Sequence, residues 1–211
     1  MWKIILSKYF PLRDKIIETA LERFLKHGIR NMTMAKLIEP MGISTKTVYK
    51  YFKSKEELLQ ECLRLLYSGY FNEFRLIVRS EVDPVTKLLT LFRGTLGTDF
   101  GMNRDFFHDL NYYYPELQNA AISHVRDNYG VLMIPVVEAG INEGYFNSYL
   151  DPQLALKGIA TLYTSITRGE EYRDYKGSPY PLFVNLVEVY IRGMCTPKGL
   201  KKIEDNPYHN H

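Results

Sequence analysis

Residues Thr33–Leu58 read TMAKLIEPMGISTKTVYKYFKSKEEL, and the fold turns on this stretch. Thr33 is a hydroxyl residue placed to cap a helix that runs to about Met41, and Gly42 supplies a tight turn. Ser44 caps a second, short helix. Ser54-Lys55-Glu56-Glu57 has the S-x-x-E form of a capping box and opens a further helix through Leu58 and Leu59. At about 100° per residue, Val48 and Phe52 share one side of the short helix, and Lys46 and Lys50 fall nearly opposite. Thr45 and Tyr49 lie on one flank, Thr47 and Tyr51 on the other.

Such a face can enter a DNA major groove, where lysine donates to guanine O6 and N7 and a threonine methyl meets a thymine methyl. Tyr51 and the Thr33 hydroxyl are better placed for phosphates, as is Lys55 at the start of the following helix. A helical hairpin with a solvated Lys/Tyr face would give a similar pattern. Two outward tyrosines beside two lysines on so short a helix fit it less well.

Working outward, a helix is expected from about Pro11 to His27, closed by Gly28. Its Ile17, Ala20, Leu21 and Phe24 form an apolar stripe on which Met34, Leu37, Ile43 and Val48 can pack. Beyond Leu59 no run of alternating strands occurs. Asp83-Pro84 and Asp151-Pro152 each read as an N-cap followed by proline in the first turn, starting two helices. Between them lie a short helix around Arg104–Tyr112 and a longer one from about Pro115 to Asn142, which Pro135 should kink. A last helix is expected from about Pro181 to Met194, followed by a frayed tail from Pro197. The fold class is all-α. The division expected is a helix-turn-helix domain over 1–55, a helical regulatory and dimerisation domain over 56–196, and a flexible tail over 197–211.

Charge separates the same parts. Residues 1–53 carry 11 Lys and Arg against 4 Asp and Glu, a net +7, whereas the remainder carries 16 against 20. A basic N-terminal quarter on an acidic body suits docking on phosphates, although a solvated charged face gives similar counts. No apolar run approaches the roughly 18 residues of a membrane helix. The opening MWKIILSKYFP has only Ile4-Ile5-Leu6 as an apolar centre, too short for a signal peptide, so the cytoplasm is expected. Cys62 and Cys195 are far apart, without CxxC spacing, and read as buried, inert thiols.

From about Lys15 to Leu63 the chain resembles the N-terminal domain of the TetR (tetracycline-repressor-like) transcriptional regulators. The resemblance rests on Ile16-Ile17-Glu18-Thr19-Ala20 with Phe24 and Gly28, on Thr33-Met34, and on Gly42-Ile43-Ser44. Above all it rests on Thr47-Val48-Tyr49-Lys50-Tyr51-Phe52-Lys53-Ser54-Lys55-Glu56-Glu57-Leu58. It implies that Thr33, Thr45, Lys46, Thr47, Tyr49, Lys50, Tyr51 and Lys55 touch DNA. It also implies a homodimer formed through the last two long helices, a roughly palindromic double-stranded operator, and repression relieved by a small-molecule effector. Two residues depart from the family pattern. Ile38 stands where a small residue is usual, and Pro40 where proline is rare; both bear on the angle of the reading helix.

The rest of the chain carries no specific motif. Leu154-Ala155, Gly158-Ile159, Leu162 and Ile166 in one helix, and Leu182, Leu186, Val189, Tyr190 and Gly193 in the last, could serve a four-helix dimer interface or an ordinary core. Phe107, His108, Tyr112, Tyr113, Tyr129 and Tyr163 are the candidates for an effector pocket, in a tyrosine-rich region that a core with surface-reaching hydroxyls would explain equally. His108 and His124 read as ordinary helix residues, and the His209/His211 pair lies in the tail. No metal or cofactor is expected. No nucleophile elbow, P-loop or dinucleotide fingerprint occurs, and Gly94, Gly97 and Gly101 lack the strand context of one. No catalytic residue is assigned. The rival readings are a helical enzyme using the aromatic region and a helical interaction module whose head no longer binds DNA.

Overall fold

The structure is a computed structural model that describes residues 11–102, 104–169, 171–172 and 174–205, leaving aside the side chains of residues 104, 122 and 124–128. The opening segment up to residue 10, the His124 side chain and the His209/His211 pair lie outside the described residues. The described residues are helical throughout, with a single isolated antiparallel bridge, Phe146 to Cys195. No described helix is long and apolar enough to cross a membrane. The helices are α1 (Leu12–His27), α2 (Met34–Ile38), α3 (Thr45–Val48), α4 (Lys55–Arg79), α5 (Pro84–Phe100), α6 (Arg104–Tyr113) and α7 (Pro115–Asn142). They continue with α8 (Pro152–Arg168), α9 (Pro179–Leu182), α10 (Val189–Met194) and α11 (Pro197–Glu204). A 3-10 turn, Glu39–Met41, follows α2, and a π-helical segment, Phe183–Glu188, joins α9 to α10.

The chain forms two compact units. The N-terminal unit comprises residues 1–70 and 102–124, the C-terminal unit residues 71–101 and 125–211, so the chain crosses between them within α4, between α5 and α6, and within α7.

In the N-terminal unit the stripe of α1 is the foundation. Ile16, Ala20 and Phe24 are fully buried, as are Leu37 of α2 and Val48 of α3. Ile38 is buried as well. Pro40 ends α2 early: it has no N–H to return to the Lys36 carbonyl, and the chain tightens into the 3-10 turn. Gly42 follows in the left-handed region at φ 63°, as its place in the sequence predicts.

In the C-terminal unit, α7 continues unbroken through Pro135. Phe146 is 1% exposed and lies against Gly140, where a Cβ atom would stand 2.2 Å from its ring. Asn147 donates through its backbone N–H to the Met194 carbonyl at 2.9 Å, and Thr196 to the Tyr145 carbonyl at 2.9 Å. The segment after Pro197 is a helix, where a frayed tail is expected from the sequence. Thr196 caps it by accepting from Gly199 N–H, and its hydroxyl donates to the Gly144 carbonyl at 2.7 Å. Ile203 is 1% exposed, so apolar burial holds the helix down.

The small and apolar stripes of α8 and the last helix divide. Ala155, Ile159, Ile166 and Leu182 are buried within the chain. Gly158 admits Tyr190, whose hydroxyl donates to the Ala155 carbonyl at 3.0 Å. Leu154 and Val189 are exposed, as is Gly193.

Candidate nucleic-acid interface

Three local caps build the reading element. Thr33 Oγ1 accepts from Lys36 N–H at 3.3 Å, Ser44 Oγ from Thr47 N–H at 3.1 Å, and Ser54 Oγ from Glu57 N–H at 3.2 Å. The Glu57 carboxylate returns to accept from Lys53 N–H at 2.6 Å. Each satisfies backbone donors that a helix start leaves open. The regular part of α3 is a single turn, Thr45–Val48; the chain stays coiled to Phe52 through Lys50 N–H to Thr47 O at 3.3 Å and Tyr51 N–H to Val48 O at 2.9 Å. This is shorter than the sequence pattern implies, but the phase is kept: Val48 and Phe52 are buried while Lys46 and Lys50 are exposed.

Around the two lysines, Tyr49 is 53% and Tyr51 40% exposed. Thr45 and Thr47 are half-buried at the helix start, and the Thr47 hydroxyl is hydrogen-bonded to Ser44 Oγ at 2.9 Å. Lys53 and Lys36 add exposed positive charge nearby in sequence. Phe52 anchors the turn from inside: the Arg13 guanidinium lies 5.3 Å from its ring centroid and pairs with Glu61 at 3.0 Å.

Lys55 differs from the others. Its ammonium turns back to the α1–α2 loop and donates to the Ile29 carbonyl at 3.1 Å and the Met32 carbonyl at 3.2 Å. Sequence reasoning also misses Asp109 on α6, whose Oδ2 accepts from Ile29 N–H at 2.8 Å and Arg30 N–H at 2.7 Å. The partners lie 80 and 79 residues away, so no local pattern betrays them. The one hint is Gly28, at φ 76°, where an added Cβ would stand 3.2 Å from that same oxygen.

The six aromatic-region candidates fall in different units. Phe107, His108, Tyr112 and Tyr113 belong to α6 in the N-terminal unit; Tyr129 and Tyr163 belong to the C-terminal unit. On α6 the buried stripe is Phe106, Phe107 and Leu110, which turns Tyr112 outward at 72% exposure and Tyr113 at 42%. His108 stacks on Tyr112 at 6.0 Å. Both rings therefore stand at the surface of the N-terminal unit. Tyr129 is different: burial pushes its phenol well up, its hydroxyl has no hydrogen-bond partner among the described residues, and its ring meets Phe74 edge-on at 5.6 Å. Tyr163 donates to Asp99 Oδ2 at 2.7 Å, and burial together with that carboxylate holds its phenol well above the usual range. The C-terminal unit also bears an open groove of about 740 Å³ lined by Lys87, Pro135, Glu143 and Lys202, among others, and by none of the six candidates.

Both cysteines are buried. Burial pushes the Cys62 thiol up beyond the ordinary range and the Cys195 thiol to about 11, which disfavours the reactive thiolate in each.

Residues 16–62 match the family described as bacterial regulatory proteins, tetR family. The HTH-type transcriptional repressor KstR2 of Mycobacterium tuberculosis is 29% identical over 154 residues, covering 70% of this chain and 75% of the relative. Among solved structures, the fatty acid degradation regulator FadR of Bacillus halodurans aligns with a TM-score of 0.67 at 22% identity, covering 89% of this chain and 98% of that one. FadR of Bacillus subtilis in complex with stearoyl-CoA aligns with a TM-score of 0.67 at 19% identity, covering 86% and 98%. The capped reading element, the family match and the relatives converge: residues 16–62 are a DNA-binding domain of the tetR family of bacterial regulatory proteins.

Proposed function

We propose that the chain is a homodimeric, ligand-responsive repressor that reads a roughly palindromic operator with the face of α3. The observation that carries this reading is the pair Lys46 and Lys50, exposed directly opposite buried Val48 and Phe52. Those two lysines, with Thr45 and Tyr49, face base edges; Thr33, Thr47 and Tyr51 stand on the phosphate side. Ile38 and Pro40 do not argue against DNA binding, because Ile38 is absorbed into the core and Pro40 is confined to an exposed 3-10 turn. Repression is the role named for the M. tuberculosis relative.

A two-fold dimer would place two reading faces in successive major grooves, and linkage raises the affinity of two weak readers through effective concentration. Exposed Leu154 and Val189, on α8 and α10, are the apolar positions available to such an interface. The effector is assigned to the C-terminal unit, where Tyr129 offers a buried hydroxyl with no partner among the described residues. Stearoyl-CoA bound to the B. subtilis regulator makes long-chain acyl thioesters the first class to try. A ligand of this kind acts only through its differential affinity for the two states of the dimer. DNA binding puts the site of action in the cytoplasm.

The test is selection of bound sequences from a random duplex pool, with Lys46→Ala/Lys50→Ala as control. A palindromic consensus that the double variant loses is expected. Equal enrichment by both proteins would refute base reading by α3.

A further inference from the structure

The loop from Gly28 to Met32 is held by opposite charges from two helices outside it. Asp109 of α6, 7% exposed, takes the N–H groups of Ile29 and Arg30 on one carboxylate oxygen at 2.8 and 2.7 Å. Lys55 at the start of α4 takes the carbonyls of Ile29 and Met32 at 3.1 and 3.2 Å. Buried Ile29 thus presents its donor to an anion and its acceptor to a cation. A third contact reinforces the α6 side: the Arg30 guanidinium donates to Tyr113 Oη at 2.8 Å and lies 5.0 Å from the centroid of that ring.

This loop is the only covalent connection between α1 and the α2–α3 pair. It ends at Thr33, the residue that caps α2. Whatever fixes the loop therefore fixes where α2 begins, and α3 follows through the short 3-10 turn and Gly42. Hydrogen bonds to an ionised group are shorter and roughly twice as strong as neutral ones. Gly28 leaves the space: a side chain there would need both a left-handed backbone and room already taken by Asp109 and Asp105.

We infer that Asp109 and Lys55 are positioning residues for operator recognition: together they set the angle at which α2 and α3 leave α1. Lys55 spends its charge on the loop and not on a phosphate. The inference rests on the DNA-reading function of α3.

The two roles make opposite predictions. A carboxylate near DNA that merely repels phosphate would, once removed, tighten binding. A positioning carboxylate, once removed, weakens specific binding and leaves non-specific binding alone. A phosphate-bound lysine, once removed, reduces the slope of log affinity against log salt by about one per contact; a positioning lysine leaves the slope unchanged.

The experiment titrates the full chain with its selected operator and with a scrambled duplex over a salt series, below the onset of unfolding. Asp109→Leu should weaken operator binding about tenfold, as expected for losing a buried charged acceptor, with the scrambled duplex unaffected. Asp109→Asn keeps an acceptor oxygen and should recover most of this, to roughly a threefold loss. Lys55→Met should weaken operator binding about tenfold at unchanged salt slope. If Asp109→Leu does not fold, Asp109→Asn and Tyr113→Phe, each weakening the operator complex severalfold, carry the test. Wild-type or tighter binding by the Asp109 variants, equal losses on both duplexes, or a reduced slope in Lys55→Met would overturn the inference. A wild-type chain that selects no consensus would overturn the DNA reading itself, and this inference with it.

Discussion

In the reading element, the side-chain hydrogen bonds that shape the backbone reach three or four residues: Thr33 to Lys36, Ser44 to Thr47, Ser54 to Glu57, Glu57 to Lys53. The C-terminal unit uses the same short caps, Asp83 to Thr86 and Asp151 to Leu154, but adds bonds that reach across the chain. Asn147 donates to Cys195, 48 residues on; Thr196 to Gly144, 52 back; Tyr163 to Asp99, 64 back. The difference separates two ways of specifying structure. A cap or a glycine turn acts before any tertiary contact exists, so its message is written in adjacent letters. A side chain that ties two helix ends together acts only once both have arrived, and nothing in its neighbourhood announces the partner. The α1–α2 loop is where the N-terminal unit departs from its own habit, since Asp109 reaches it from 80 residues away.

The contrast can be broken most forcefully at Phe146. Truncation to alanine should lower the unfolding free energy by about 3–5 kcal/mol in a urea titration, since the side chain is fully buried and the site cannot collapse around a ring packed on Gly140. A loss below about 1 kcal/mol would mean that long-range interlocks contribute little to the C-terminal unit. A chain ending at Thr196 should lose roughly 2–3 kcal/mol, the worth of the buried Ile203 side chain and its lesser neighbours. An unchanged urea midpoint would restore the frayed tail. Ser54→Ala sharpens the local side of the comparison: about 1 kcal/mol is expected, the usual value of a lost N-cap. A loss as large as that at Phe146 would show that the head, too, depends on remote structure.

The smallest expected effect is a dependence on pH. Burial raises the Cys195 thiol from 9.0 to about 11, so the folded chain keeps its proton after the unfolded chain has ionised. The stability from this group is complete below about 9 and is lost as pH rises toward 11. Cys62, also raised, titrates in the same direction. Thermal melts of Cys195→Ala against wild type should therefore converge as the pH rises above 9. A gap that stays constant would contradict protonation of Cys195 in the fold.

These differences account for what could be read in advance. The helix starts at Pro84 and Pro152 announce themselves as an aspartate N-cap followed by proline, and Gly42 marks its turn. Thr196-Pro197 uses the same grammar with threonine in place of aspartate, and the helix it starts was legible by that rule. The polar run that follows hides Ile203, whose burial depends on packing against earlier segments of the chain. Within the candidate interface, the phase of Val48, Phe52, Lys46 and Lys50 is a local property and appears in the sequence. The inward turn of Lys55 is not, because its acceptors are carbonyls 26 and 23 residues upstream. Tyr112 and Tyr113 look like pocket residues as long as aromatic content is counted, and like surface residues once the stripe Phe106, Phe107 and Leu110 shows which way α6 faces.

The π-helical segment Phe183–Glu188 changes how the end of the chain must be drawn. A π turn holds one residue more than an α turn, so it advances everything after it by roughly 100° around the axis. A helical wheel drawn straight through from Leu182 places Leu186, Val189 and Gly193 on one line with it. The structure instead buries Val187, Ile191 and Met194 and leaves Val189 outside. The run from α9 to α10 is two pieces out of phase with each other, joined by a slipped cog. A relative with one residue fewer there would present a face turned by roughly 100° without changing a single amino acid downstream.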